Sequence, residues 1–163
     1  MSRRMVLNPI ISLMLFCGLG LLSLMEAHAQ NPHDYALHQA IMAAQGKMVA
    51  AAKIRDDDTL ASIFSESMFE LFLYKKKYNI PDEITQNPCQ RAYEELSTSA
   101  MLLATYVQPN RQVLGAIDRD RDGREADKWW GSHREALKEC ENLLKLPQSP
   151  VFGPDRLTNI VPH

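Results

Sequence analysis

Cysteine is scarce in this chain: Cys17, Cys89 and Cys140 are the only three among 163 residues. No two of them form a C-x-x-C pair, and C-x-x-C-H does not occur, which excludes a thioredoxin-type redox motif and covalently attached c-type haem. Glycine is sparse as well, with seven residues, and no Gly-rich loop is present to cradle a phosphate. Charge of one sign is missing. Eighteen basic against 20 acidic side chains give a net charge of −2, so there is no basic field for nucleic acid. Catalytic sets are also lacking. Ser97, Thr98 and Ser99 cluster without a Ser-His-Asp order or a nucleophile elbow. Glu94 and Glu95 are adjacent and point to different helix faces, so they do not make a general-acid pair. These absences argue against an enzyme.

Long apolar runs are limited to one. Arg3 and Arg4 precede an apolar stretch from Ile10 to Met25, and Ala27-His28-Ala29 follows it. A charged start, an apolar centre and a small-x-small end form a secretory signal, with cleavage between Ala29 and Gln30. The stretch is short for a membrane span, which needs about 20 apolar residues, so no stable membrane anchor is expected after cleavage. Ser2-Arg3-Arg4-Met5-Val6-Leu7-Asn8 resembles the twin-arginine export motif, with Val6 and Asn8 in place of its Phe and Lys. The short charged region and very apolar centre fit the ordinary route instead. Either route places the mature protein in the periplasm or outside the cell.

Removing residues 1–29, with Arg3, Arg4 and Glu26, leaves 134 residues carrying 16 basic and 19 acidic side chains. That is the length of one domain. Only Cys89 and Cys140 remain, and an even pair in an exported protein reads as a disulfide.

Four amphipathic helices are legible in the mature chain. Leu37, Ile41, Ala44, Met48 and Ala51 share one face from His33 to about Ile54. Asp56-Asp57-Asp58 opens a second helix whose seam is Leu60, Phe64, Ser67, Leu71 and Tyr78, with Ile63, Met68, Phe69 and Phe72 widening its apolar face. Lys75-Lys76-Lys77, Asn79 and Pro81 close it. Asn87-Pro88 caps a third helix with Cys89, Tyr93, Leu96, Ala100, Leu103 and Val107 inward. Val113, Leu114 and Ile117 suggest a short helix, and Asp118 to Gly123 a charged loop. A fourth helix is expected from about Glu125 to Leu146, with Ala126, Trp130, His133, Leu137, Cys140 and Leu144 on its seam. Pro147, Pro150, Pro154 and Pro162 predict an extended tail over residues 147–163, with Val151 and Phe152 free to dock. The expected architecture is an all-α, up-and-down four-helix-bundle-like single domain over residues 30–146, behind the cleavable signal.

Three features hold chemistry to be weighed. Asp118, Asp120, Asp122 and Gly123 stand in the order that opens an EF-hand calcium loop. Position 12 of such a loop, normally a bidentate Glu, is Trp129, so a calcium site would be incomplete. His133 lies on an apolar seam where a bundle could hold haem, with Met48 as its partner, but packing explains both residues more simply. His33, His38 and Met42 lie near the mature N-terminus without forming a Met-rich tract. Trp129 and Trp130 are adjacent, so one is core and the other, Trp129, borders the surface. The expected function is therefore non-enzymatic: an exported helical module that binds a protein partner in the cell envelope, or serves as an accessory or assembly factor, without a cofactor. The second reading is a bundle holding a metal ion at Asp118–Asp122 or haem at His133.

Overall fold

The computed structural model describes residues 32–80, 87–108, 116–149 and 153–162. The signal segment, its cleavage point at Ala29 and Gln30, and Val113, Leu114, Val151 and Phe152 lie outside the described residues. Among the described residues four helices form, α1 (Pro32–Ile54), α2 (Asp57–Lys77), α3 (Pro88–Val107) and α4 (Ala116–Leu143), followed by a 3-10 turn at Leu157–Ile160. From Asp34 onward the chain is one compact unit.

The helix ends follow from local chemistry. Arg55 adopts φ 56°. Its N–H reaches the Ala52 carbonyl and that of Asp56 reaches Ala51, the paired bonds of a Schellman cap. Asp56 then begins α2 by accepting from the Thr59 N–H at 2.9 Å. One residue thus ends α1 and the next starts α2. Asn79 and Lys145 end α2 and α4 in the same left-handed way, with φ of 51° and 54°. Asn87 caps α3 by accepting from Gln90 N at 2.9 Å, with Pro88 at the first helical position.

The helices run up and down around one core. Tyr35 donates to the Leu144 carbonyl, His38 faces Glu141 and Gln45 faces His133, so α1 and α4 are antiparallel. Tyr74 donates to Asp34 and Lys47 pairs with Glu66, so α1 and α2 are antiparallel too. Cys89 joins Cys140 while Ser99 donates to the Ala126 carbonyl, which sets α3 against α4. Ile41, Met48, Leu60, Ile63, Leu96, Leu103, Trp130 and Leu157 are all buried to within a few per cent.

Two expectations are corrected. First, α4 begins at Ala116, so Asp118 to Gly123 is helix and not loop. Local contacts favour this. Arg119 Nε donates to the Tyr106 carbonyl near the end of α3, and its guanidinium lies 5.1 Å from the Tyr106 ring. A Cβ on Gly123 would sit 2.9 Å from that ring, so the glycine admits Tyr106 against the helix. Second, the described part of the tail is not an extended appendage. Leu157 and Val161 are buried, Thr158 bonds the Asp127 carboxylate through both N–H and hydroxyl, and Trp130 Nε1 donates to the Pro154 carbonyl at 2.9 Å. Gly153, at φ 103°, passes so close to Trp130 that a Cβ would lie 3.0 Å from the indole. The prolines excluded regular helix, but they did not exclude docking.

The expected disulfide is present, with Cα atoms 4.7 Å apart and a sequence separation of 51. Both cysteines are fully buried. In the chain-entropy model a loop of that length is stabilised by roughly 4 kcal/mol, a large share of the 5–15 kcal/mol typical of a domain. Cys89→Ser and Cys140→Ser are each expected to lose about that amount in urea unfolding, and the double variant little more. Thiol titration of denatured, unreduced protein that found both cysteines free would contradict this.

Candidate functional site

Asp120 and Asp122 do not converge: at 100° per residue they lie about 160° apart round the helix. Asp120 is exposed, and Asp122 accepts from the Thr105 hydroxyl at 3.1 Å. Asp127, one turn further on, is engaged by Thr158. Among the described residues no group of three His, Cys, Asp or Glu side chains is placed to hold a metal ion. A calcium loop needs its carboxylates folded round one point, and the helix that Arg119 and Tyr106 favour turns Asp120 and Asp122 to different faces.

His133 is fully buried. Its Nδ1 bonds the Ala92 carbonyl at 2.8 Å, and Nε2 lies 3.3 Å from the Gln45 amide oxygen. The Ala92 carbonyl only accepts, so Nδ1 carries the proton. A neutral ring then accepts at Nε2, and a half-turn of the Gln45 amide presents its NH2 there. Burial pushes the imidazole down to about 4 from its ordinary 6.5, against the opposing pull of the Ala92 carbonyl. Trp130 packs over it with ring centres 5.3 Å apart. Both nitrogens are engaged within the protein, so a metal or haem iron would have to displace one of these bonds. Met48 is likewise wholly packed in the core.

Most other buried polar groups are matched in the same manner; among the described residues Glu95 Oε2 and Arg134 Nε are buried without a hydrogen-bond partner. Asp34 accepts from the Tyr74 hydroxyl at 2.7 Å and from Asn87 Nδ2 at 2.9 Å. Burial, then that carboxylate, push the Tyr74 phenol up to about 12. Glu141 lies 3.4 Å from His38 Nε2 and accepts from Ser149 N at 3.1 Å. Tyr93 donates to Glu70, and burial, with that carboxylate, raises its hydroxyl above the usual phenol range. Glu94 and Glu95 do point to different faces, Glu94 to Lys75 on α2 and Glu95 back along α3 to Arg91. Burial raises the Glu95 carboxyl above its ordinary range. The apolar pocket beside Gly153, lined by Met42, Gln45, Gly46 and Val49, has a volume of about 210 Å³, below the roughly 300–1,000 Å³ of ligand sites. The interior is therefore occupied with holding itself together.

What the interior does not use lies outside, on α2. Met68, Phe69, Phe72 and Leu73 are 43, 61, 59 and 45 % exposed. Met68, Phe69 and Phe72, expected to widen the core face, instead face solvent. At 100° per residue, Phe69 projects almost opposite the Leu60–Ser67–Leu71 line that is buried. With Phe64 half-buried, the helix has two faces instead of one wide face. Trp129 borders the surface at 36 % exposure while Trp130 is fully buried, as the adjacency of the two required.

His133 carries a testable pH dependence. Its folded value of about 4 lies below the ordinary 6.5 expected when unfolded. Its contribution is complete above about pH 6.5 and is lost as pH falls towards about 4, because the unfolded chain takes up a proton the folded core refuses. The loss is on the order of 3 kcal/mol. Urea unfolding of His133→Asn is expected to give a flatter stability profile across that window than the parent; an unchanged slope would refute the assignment.

Comparison with protein-family models, with curated proteins and with solved structures finds no match for this chain.

Proposed function

We propose that this protein works outside the cytoplasm as a non-enzymatic helical module that binds another protein, with the outer face of α2 as its docking surface. The observation that carries this reading is the contiguous exposed group Met68, Phe69, Phe72 and Leu73. Four large apolar side chains on two turns of one helix form a patch of the kind found at interaction sites, and aromatic residues dominate binding energy there. The buried Cys89–Cys140 bond suits an oxidising compartment, in keeping with the leader read in the first 29 residues. Among the described residues no helix is long and apolar enough to cross a membrane. The engaged states of His133, Glu141 and Asp34 add support, since groups committed to internal bonds serve the fold and leave the surface to carry recognition.

The test is a photo-crosslinking side chain placed at Phe69 in the protein exported from its full gene, with exposed Lys138 on α4 as the control. Adducts with a protein are expected at position 69 and not at 138. Phe72→Glu should cut their yield tenfold or more, the loss of an aromatic anchor worth about 2 kcal/mol. The exported chain should begin at Gln30 by mass. Equal labelling at both positions, or retention of residues before Ala27, would contradict the reading.

A further inference from the structure

The outer seam of α2 has an order that goes beyond being apolar. Asp58, Ser62, Ser65, Phe69, Phe72 and Lys76 recur at steps of four, three, four, three and four, the spacing of a coiled-coil seam. All are exposed except Ser62, which is half-buried. The sequence of residue types is complementary to itself about position 67. A twofold axis there sets Asp58 opposite Lys76, Ser62 opposite Phe72 and Ser65 opposite Phe69. Each phenylalanine of the seam faces a small residue from the N-terminal half, and the acidic start of the helix faces its basic end.

We propose that α2 is the interface of a twofold-symmetric homodimer, two α2 helices packing antiparallel by their outer seams. This rests on the reading of α2 as a docking face and names its partner as a second copy of this chain. A closed isologous contact requires a surface that complements itself under a twofold rotation, and this seam does so in both size and charge. A parallel arrangement would set Asp on Asp, Lys on Lys and Phe on Phe. A lipid surface matches less well: Lys75, Lys76 and Lys77 attract anionic headgroups, but Asp57, Asp58, Glu66 and Glu70 on the same helix leave it without the net positive charge of a surface-binding helix. Ion pairs flank the seam on both sides: Lys47 with Glu66 at 3.6 Å towards α1, and Lys75 with Glu94 at 3.4 Å towards α3. They supply the polar rim that surrounds an apolar interface centre.

Sedimentation equilibrium of the exported, oxidised protein tests this. A dimer with a dissociation constant in the range of about 1–100 μM is expected. Phe72→Glu should be monomeric at 100 times that concentration with an unchanged far-ultraviolet spectrum, since Phe72 is exposed in the monomer. Asp58→Lys and Lys76→Asp should each weaken the dimer by about tenfold, as each pair occurs twice. The two together should restore it to within about threefold, which a general loss of fold would not do. A parent protein that stays monomeric to about 1 mM overturns the proposal, as does a double variant as weak as the product of the singles. If that monomer still gave adducts at position 69 with a different protein, or bound vesicles containing anionic phospholipid, the homodimer would fall; the protein adduct would leave α2 as a docking face. A monomer giving no adducts would overturn both readings.

Discussion

Helix α4 is fixed against α3 by three bonds spread along its length. The Cys89–Cys140 bridge closes one end, His133 Nδ1 holds the Ala92 carbonyl in the middle, and the Ser99 hydroxyl donates to the Ala126 carbonyl towards the other end. Each carbonyl has a second lone pair beyond its helical bond, so these contacts add to the helices without breaking them. A shift of one turn, about 5.4 Å, would strand a buried imidazole and a buried hydroxyl, at a cost of about 1–3 kcal/mol each. Register therefore follows from polar satisfaction as much as from apolar packing. The remaining contacts of α4 use it as a frame: α1 through Tyr35 and His38, and the tail through Asp127, Trp130 and Arg134.

Much of this was legible because local chemistry and tertiary demand agree. Asp56 and Asn87 cap the helices their side chains were expected to cap, and Cys89 and Cys140 meet at the level an antiparallel third and fourth helix requires. The failures share one cause, in that the deciding contact is distant in sequence. The acidic stretch from Asp118 reads as a loop until Tyr106 and Arg119 are brought together and Thr158 is brought against Gly123. The proline-spaced tail reads as extended, with no docking place legible until Trp130 donates to Pro154. Arg55 shows the same limit. Its backbone turn is local, but its guanidinium donates to the Val107 carbonyl at 3.2 Å and to the Pro162 carbonyl at 3.1 Å, tying the α1–α2 turn to the end of α3 and to the tail.

The candidate site was missed for a different reason. His133 and the acidic trio drew attention because their residue types hold metals, yet the fold engages His133, Asp122 and Asp127 internally. The aromatics of α2 looked like ordinary core, and only the angle round the helix separates Leu60 and Leu71 from Phe69 and Phe72. Inside, the apolar core encloses polar groups that pair with one another, while apolar residues that the core does not use, Phe69 and Phe72 among them, face solvent.

Native-state hydrogen exchange with residue resolution tests the frame most directly. If α3 and α4 are locked together as described, the amides of Ala92–Leu103 and Ala126–Cys140 will exchange slowest of all, with one shared opening free energy equal to that of global unfolding. Reduction of the disulfide will then lower that value for both helices together. Should α4 instead open on its own, with α1 and α2 holding the slowest amides, the α3–α4 pair would not be the frame of this fold.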